Sequence, residues 1–210
     1  MTEHKTMNTI IHAAFRRDLK RFDTALATFP AGSRERADHL GTAWDNFAFQ
    51  LDHHHTDEET IFWPALRSLG ADVTMAEELA GEHETMLSAR ATANGAMADF
   101  RADPSSGRAA QARAAITELA RVLIDHLAHE ERDMEPISVT HHASPQIKSA
   151  QKVVRKAHRG NQGTLFAWLL DAADADAIRG LRREVPRPVL FVITRTAGRR
   201  YNHTIAPTWA

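Results

Sequence analysis

The chain has no cysteine among its 210 residues, and this absence removes several kinds of chemistry at once. Disulfide frameworks, zinc sites with cysteine ligands, iron–sulfur clusters and thiol peroxidase reactions all need a sulfur atom that this chain lacks. Glycine (10), proline (8) and tyrosine (1) are also scarce, which disfavours a many-stranded β fold. Alanine, leucine, arginine and glutamate dominate the long segments instead, and these residues favour helices.

Long apolar runs are missing as well. No stretch is long enough to cross a bilayer, and the first nine residues lack the apolar core and cleavage site of a signal peptide. We therefore expect a cytoplasmic protein without a membrane span. Apolar residues (43%) and charged residues (25%) are in the proportion typical of a globular domain, and the length allows one domain with an appendage.

Charge is distributed unevenly along the chain. Residues 1–144 carry 14 basic against 23 acidic residues, a net charge of -9, whereas residues 145–210 carry 12 against 4, a net charge of +8. We expect the basic part to dock on the acidic part. The alternative is that it meets an anionic partner such as another protein, and we expect no binding to nucleic acid.

Four long helical segments are predicted between proline- and glycine-containing breaks. They run approximately over residues 9–29, 33–70, 74–103 and 105–136. Ser33 is the expected N-cap of the second segment, and Ser105 or Ser106 is expected to open the fourth. Their short connections predict an all-α fold, an up-down-up-down four-helix bundle over residues 1–140. Two or three short helices in residues 141–210 are expected to form a basic C-terminal extension packed on the bundle.

The 13 histidines are the unusual feature of the composition. Each predicted helix has an apolar stripe at three-and-four spacing, and every stripe contains a histidine. Two stripes also contain a glutamate one turn later. The residues in phase are His12, His54, Glu58, His83, His126 and Glu130. An ionised glutamate inside a bundle costs several kcal/mol unless it is paired or binds a metal, so this set predicts a cation site.

Alignment with the apolar stripe, which we call the phase test, also separates these residues from neighbouring histidines. It predicts that His53, His55 and His129 point towards solvent or the flanks of their helices. Four acidic residues flank the candidate ligands and are either partners that orient the imidazoles or solvated surface residues. They are Glu59, Glu82, Asp125 and Glu131.

One motif occurs twice. His54 precedes Glu58 by four residues and Pro64 follows six residues later; His126, Glu130 and Pro136 repeat this spacing. Residues four apart lie about 6 Å apart along one helix face, so each His–Glu pair could bind one metal ion or bridge two metal ions. The doubling argues for two metal ions.

These residues together resemble the hemerythrin-like (HHE cation-binding) family over roughly residues 8–138. The family pattern has a lone histidine on the first helix, His-x-x-x-Glu on the second, a histidine on the third and His-x-x-x-Glu/Asp on the fourth. The resemblance implies two iron ions with an oxo or hydroxo bridge, terminal histidines, and Glu58 and Glu130 as bridging carboxylates. Zinc or manganese are alternative occupants.

One position departs from the family pattern. Oxygen-carrying members have a second histidine one turn after the first on the third helix, where this chain has Leu87. The resemblance then implies fewer nitrogen ligands and a more open coordination position, which favours chemistry over reversible storage. Three functions stay open. The first is binding of O2 or a related small ligand for sensing, storage or iron handling, and the second is a peroxide-consuming di-iron enzyme of catalase-like or peroxidase type. The third is an iron-responsive interaction module whose basic C-terminal part meets a partner.

Overall fold

The computed structural model describes residues 5–71 and 73–210, with side chains at 73–76 excepted, and within this part every regular element is helical. Helix α1 spans Met7–Ala27 and α2 spans Arg34–Asp57. A π-helical turn (Glu58–Phe62) leads from α2 into the short α3 (Trp63–Arg67). Two further long helices follow, α4 (Val73–Ala102) and α5 (Ser106–Asp133). The all-helical class is confirmed.

The four long helices enclose a common core. Helices α1 and α4 each pack against both α2 and α5, so that the four elements form a closed arrangement. The predicted apolar stripes supply its buried side chains. They include Phe15, Leu19, Phe22, Leu40, Phe47, Leu51, Met97, Phe100, Ile116, Leu119 and Leu123. Burial of these stripes is what drives the helices together in water.

Serine side chains cap two of these helices at the predicted places. The hydroxyl oxygen of Ser33 accepts a hydrogen bond from the backbone N–H of Arg36 at 3.3 Å. Ser105 caps α5 in the same way through the N–H of Arg108. Each cap satisfies one of the N–H groups that has no partner in the first helical turn, which explains why α2 and α5 begin there.

The two prolines that follow the buried glutamates interrupt their helices. Pro64 has no N–H to donate, and the N–H of Trp63 donates to the carbonyl of Glu58, five residues back, which widens the helix into a π turn. Helix α5 ends at Asp133, and α6 (Glu135–Thr140) begins with Pro136 in its first turn. Both helices therefore change geometry within six residues of a buried glutamate.

The C-terminal part has more elements than expected. It contains α7 (Pro145–Ala157), α8 (Gln162–Leu170), α9 (Ala175–Glu184) and α10 (Arg187–Arg195), followed by a π-helical turn (Tyr201–Ile205) and a 3-10 turn (Ala206–Trp209). The prediction of two or three helices was wrong. Helices of nine or ten residues are shorter than the window over which hydrophobic periodicity is readable, so neighbouring elements merged in the sequence pattern.

Side chains of the C-terminal part pack against α1. Trp168 is buried against Phe15, with ring centroids 5.1 Å apart, and its indole N–H donates to the Asp18 carboxylate at 2.6 Å. The hydroxyl of Tyr201 donates to Asp171, and the same carboxylate accepts from Arg21 at 2.7 Å. The division into two units with a boundary at residue 140 stays a prediction.

Two ion pairs between the two parts have an unexpected direction. Lys5 pairs with Asp174 and Arg21 with Asp171, so in these two pairs the cation comes from residues 1–144 and the acid from the C-terminal part. Net charge alone predicted the reverse. His158 of the C-terminal part pairs with Asp57 at 2.8 Å in the expected direction. Two of the four acidic residues of the C-terminal part pair with cations of residues 1–144. These two carboxylates therefore do not neutralise the arginines of the C-terminal part itself.

No helix in the described part of the chain has both the length and the apolar character that crossing a membrane requires.

Candidate metal centre

The candidate ligands converge in the interior of the bundle as two groups. His12, His54, Glu58 and Glu130 form the first group, and the second contains His55, Glu58, His83 and His126. Within each group, one ligand atom from every residue lies within 4.8 Å of the others. Glu58 belongs to both groups, so one carboxylate stands between two clusters of potential metal donors.

Four helices and the π turn supply these side chains. His12 lies near the start of α1, His54 and His55 lie in the last turn of α2, and Glu58 begins the π turn. His83 lies on α4, whereas His126 and Glu130 lie on α5. All six residues predicted from the helical phase are thus brought together, and their side chains are buried.

His55 is a seventh member that the phase test placed elsewhere. It was expected to point towards solvent or a flank, but it is only 9% exposed and its ring stacks on His83 at 4.2 Å. The expectation was wrong because consecutive helical residues lie about 100° apart, and Glu58 falls between His54 and His55 on the helix surface. The spacing of three between His55 and Glu58 was the signal that would have identified it.

The other two excluded histidines behave as expected. His53 is partly exposed and lies against Phe49 and His158. His129 lies at the edge of the site, where its Nδ1 pairs with Glu82 at 2.7 Å. Neither ring belongs to the two groups of potential donors.

Leu87, which stands where oxygen-carrying members of the family have a second histidine, does not face the site. Leu87 is 50% exposed, and the fifth imidazole comes from α2 through His55 instead of from α4. The expectation of fewer nitrogen donors was therefore wrong: the described residues offer five histidines and two glutamates. The loss of a histidine on one helix is balanced by the gain of one on its neighbour.

Carboxylates outside the groups orient three of the imidazoles. The Nδ1 atom of His12 pairs with Glu131 at 2.9 Å, that of His83 with Glu59 at 2.6 Å, and that of His126 with Glu82 at 2.7 Å. These contacts favour the interpretation that Glu59, Glu82 and Glu131 are partners of the imidazoles over the interpretation that they are solvated surface residues. A proton on Nδ1 leaves the lone pair of Nε2 facing the site, as in the carboxylate–histidine–metal arrangement.

Asp125, the fourth acidic candidate, has a different place. It is exposed on α5 and makes no hydrogen bond to an imidazole of the described chain. Sequence neighbourhood alone did not separate it from Glu59, Glu82 and Glu131, because the helices that present the acids and the imidazoles meet only after packing.

The Nε2 atoms converge in pairs. Those of His12 and His54 lie 3.1 Å apart, and those of His83 and His126 lie 3.0 Å apart. If each of these nitrogens presents a lone pair, the two members of a pair repel one another at this distance. A proton or a metal cation between them removes the repulsion. The pairing is therefore an arrangement for holding positive charge.

Burial shifts the protonation of the groups towards their neutral forms. Burial raises the pKa of Glu58 well above its ordinary value, and the neighbouring Glu130 adds to this. Burial also lowers the pKa of His54 and of His55 far below the usual histidine value. For His12, burial lowers the pKa, but the nearby carboxylates of Glu130 and Glu131 outweigh it and raise the pKa overall.

Three buried polar atoms of the two groups have no hydrogen-bond partner among the described residues. They are His55 Nε2, Glu58 Oε2 and Glu130 Oε2. Buried polar atoms in native proteins are almost always paired, and an unpaired one costs about 1–3 kcal/mol. All three belong to the two donor groups, so the residues present fit divalent cations. Imidazole nitrogen with carboxylate oxygen suits iron, zinc or manganese.

Each group offers four protein atoms, while an octahedral ion takes six ligands. Positions would remain for water, a bridging oxygen or an external ligand. Trp63 stacks on His83 with ring centroids 4.7 Å apart, and the ring of Phe15 lies 5.5 Å from that of His54. These apolar rings restrict water around the imidazoles, which strengthens electrostatic interactions at the site.

A helical bundle with two histidine–carboxylate clusters in its interior defines a cation-binding protein. Comparison with known proteins agrees: the family model for the hemerythrin HHE cation binding domain matches residues 9–138, and the chain belongs to this family. The match includes all seven clustered side chains. No curated protein and no solved structure matches the chain.

Proposed function

We propose that the chain is a non-haem di-iron protein that binds O2 or a related small ligand such as nitric oxide. One observation carries the proposal: two groups of ligand atoms share Glu58, which would place two metal ions side by side. The bound irons, with an oxo or hydroxo bridge, would supply reversible electron transfer and an exchangeable coordination position. Sensing, storage and iron handling are the biological roles that this chemistry suits.

The ligand assignment follows the two groups. One ion would be held by His12 and His54, and the other by His55, His83 and His126. Glu58 and Glu130 would bridge, since Glu130 Oε2 lies 3.4 Å from His12 Nε2 and 3.6 Å from His126 Nε2, one in each group. Two ionised carboxylates would then offset part of the metal charge within the buried site.

This assignment also implies an up-down-up-down order of the four long helices. The donors come from the beginning of α1, the end of α2, the first half of α4 and the last third of α5. Such an alternation brings beginnings and ends of successive helices together, as antiparallel neighbours do.

A peroxide-consuming enzyme is the second candidate. Four protein donors per group would leave coordination positions for hydrogen peroxide as well as for O2. In a catalase-like reaction two peroxide molecules become two waters and one O2, so no other reductant is needed. In that case the bound irons would supply the redox chemistry of this reaction in place of holding a stable ligand.

The decisive experiment loads metal-free protein with Fe(II) under anaerobic conditions and measures iron per chain, expected at about two. O2 is then added and removed while the optical spectrum is followed, and oxygen release is measured separately after addition of peroxide. A reversible spectrum without turnover supports the ligand-binding function, and sustained oxygen release supports the enzyme. Stoichiometric iron in Glu58→Ala and His126→Ala, or none in the wild type, contradicts the proposed centre.

A further inference from the structure

Helix α10 has apolar side chains on both its inner and its outer face. Leu190 is buried and α10 packs against α8 through this side. On the outside, Phe191 is 57% exposed, Val192 56% and Val189 49%. The contrast with α8 is informative, since the apolar run of that helix turns Trp168 and Leu169 into the core. Large apolar side chains clustered on an ordered outer surface mark an interaction site.

Arginines extend along the same outer face. Arg187, Phe191 and Arg195 follow one another at spacings of four, so they form a single row along the helix. The guanidinium of Arg195 lies over the Phe191 ring, 4.2 Å from its centroid. Residues 179–200 contain seven arginines and one acidic residue, Glu184. We call the outer face formed by Arg187, Val189, Phe191, Val192 and Arg195 the α10 face.

The two arginines of the α10 face do not join the two parts of the chain. The lysine and arginine ion pairs between the two parts of the chain take Asp171 and Asp174 from the C-terminal part, and their cations come from α1 and the residues before it. Arg187 and Arg195 make no ion pair with any residue that the structure describes. The α10 face is therefore a cationic surface with exposed apolar side chains between its charges.

We propose that the α10 face binds the surface of an anionic phospholipid membrane. Arginines that flank exposed apolar side chains suit the boundary between headgroups and acyl chains, where the guanidinium groups meet phosphates and the apolar groups leave water. The acidic remainder of the chain, with net charge -9 over residues 1–144, is repelled by such a membrane and is kept on the far side. This proposal is independent of the metal centre.

Other occupants fit the α10 face less well. Its three half-exposed apolar side chains offer on the order of 300 Å², whereas a stable contact with a second copy needs about 800 Å² from each partner. A nucleic acid would pair with the arginines through its phosphates but would leave Phe191 and both valines in water.

The test is co-sedimentation of the full chain with vesicles of phosphatidylcholine alone or mixed equally with phosphatidylglycerol. Binding is expected only to the mixed vesicles and should weaken with added salt. Arg187→Glu with Arg195→Glu should lower the vesicle-bound fraction about tenfold or more, and Phe191→Ser should also lower it several-fold. All variants are checked for wild-type helicity and iron content.

Matched controls lie on the acidic part of the chain. Phe49→Ser removes another exposed phenyl group, and Lys20→Glu with Arg34→Glu makes the same change of charge at exposed positions. Both controls should bind vesicles as the wild type does. The proposal is overturned if the wild type does not bind mixed vesicles, or if the control variants lose as much vesicle binding as the α10 variants do. It is also overturned if Phe191→Ser leaves vesicle binding unchanged, or if sedimentation velocity shows a dimer that Phe191→Ser disrupts.

Discussion

The imidazole of His55 stacks on that of His83 with ring centroids 4.2 Å apart, and both residues belong to the donor group that contains Glu58. A residue at the end of α2 thus offers an additional potential nitrogen donor, whereas oxygen-carrying members of the family have a second histidine on the third helix, where this chain has Leu87. The stacked pair explains how a chain that departs from the family at one position still presents five imidazoles.

His55→Ala is expected to lower the iron content of the protein from about two ions per chain towards one, since only one group loses a donor. Metal analysis after anaerobic loading and gel filtration measures this change. His53→Ala is the matched control, because His53 is the adjacent histidine and lies outside both groups. Equal iron content in His55→Ala and the wild type would remove His55 from the ligand set.

Glu59→Gln, Glu82→Gln and Glu131→Gln should each weaken iron binding by about 10–100-fold, because loss of an orienting carboxylate lowers the basicity of its imidazole and frees the ring. Competition with a chelator of known affinity measures the change. Asp125→Asn has the same chemistry at an exposed position that contacts no imidazole of the described chain, and its affinity should be unchanged. If all four variants behave alike, the contacts have no orienting function.

The metal-free protein should become less stable as pH rises, through Glu58. Burial raises the folded-state pKa of this carboxyl above its ordinary value of 4.5. A carboxyl whose pKa is higher in the folded than in the unfolded protein stabilises the fold fully at pH values below its ordinary pKa. This stabilisation is lost as the pH rises through the folded-state pKa. At pH 8 metal-free Glu58→Gln should therefore melt at a higher temperature than the metal-free wild type, and the difference should shrink near pH 5.

Glu84→Gln, an exposed position on α4, is the control for that comparison and should follow the wild type at both pH values. The same shift makes metal binding release the Glu58 proton. Titration calorimetry in two buffers of different ionisation enthalpy detects this release. A metal-free Glu58→Gln variant that melts below the wild type at pH 8 would contradict the raised pKa of the buried Glu58 carboxyl.

Trp168→Ala should lower the free energy of unfolding by about 3–5 kcal/mol, since it removes a fully buried indole and leaves a cavity beside Phe15. For a chain of this length the melting temperature should fall by about 6–20 °C. Thermal denaturation followed by circular dichroism tests this, with the exposed Phe191→Ala as a control that stays within about 0.5 kcal/mol. A small effect would mean that the C-terminal part does not stabilise the bundle.

Local patterns predicted much of the fold and most of the site. The serine caps at Ser33 and Ser105 marked helix starts because capping depends on residues within one turn. His12 and His126 were found because a histidine in phase with buried leucines has to share their environment. The position of His55 was not predicted from its phase with the buried leucines. A site lined by several helices includes donors over a wider arc of each helix than an apolar stripe covers.

The sequence by itself determined the helical class, the positions of the apolar stripes, and the need to balance charge at Glu58 and Glu130, because these depend on spacing along one helix and on the cost of burying charge. Only the tertiary structure decided which side chains meet: the stacking of His55 on His83, the pairing of Glu59, Glu82 and Glu131 with imidazoles of other helices, and the use of Asp171 and Asp174 in docking. Such contacts join residues distant in the chain, and their distances are set by how whole helices pack.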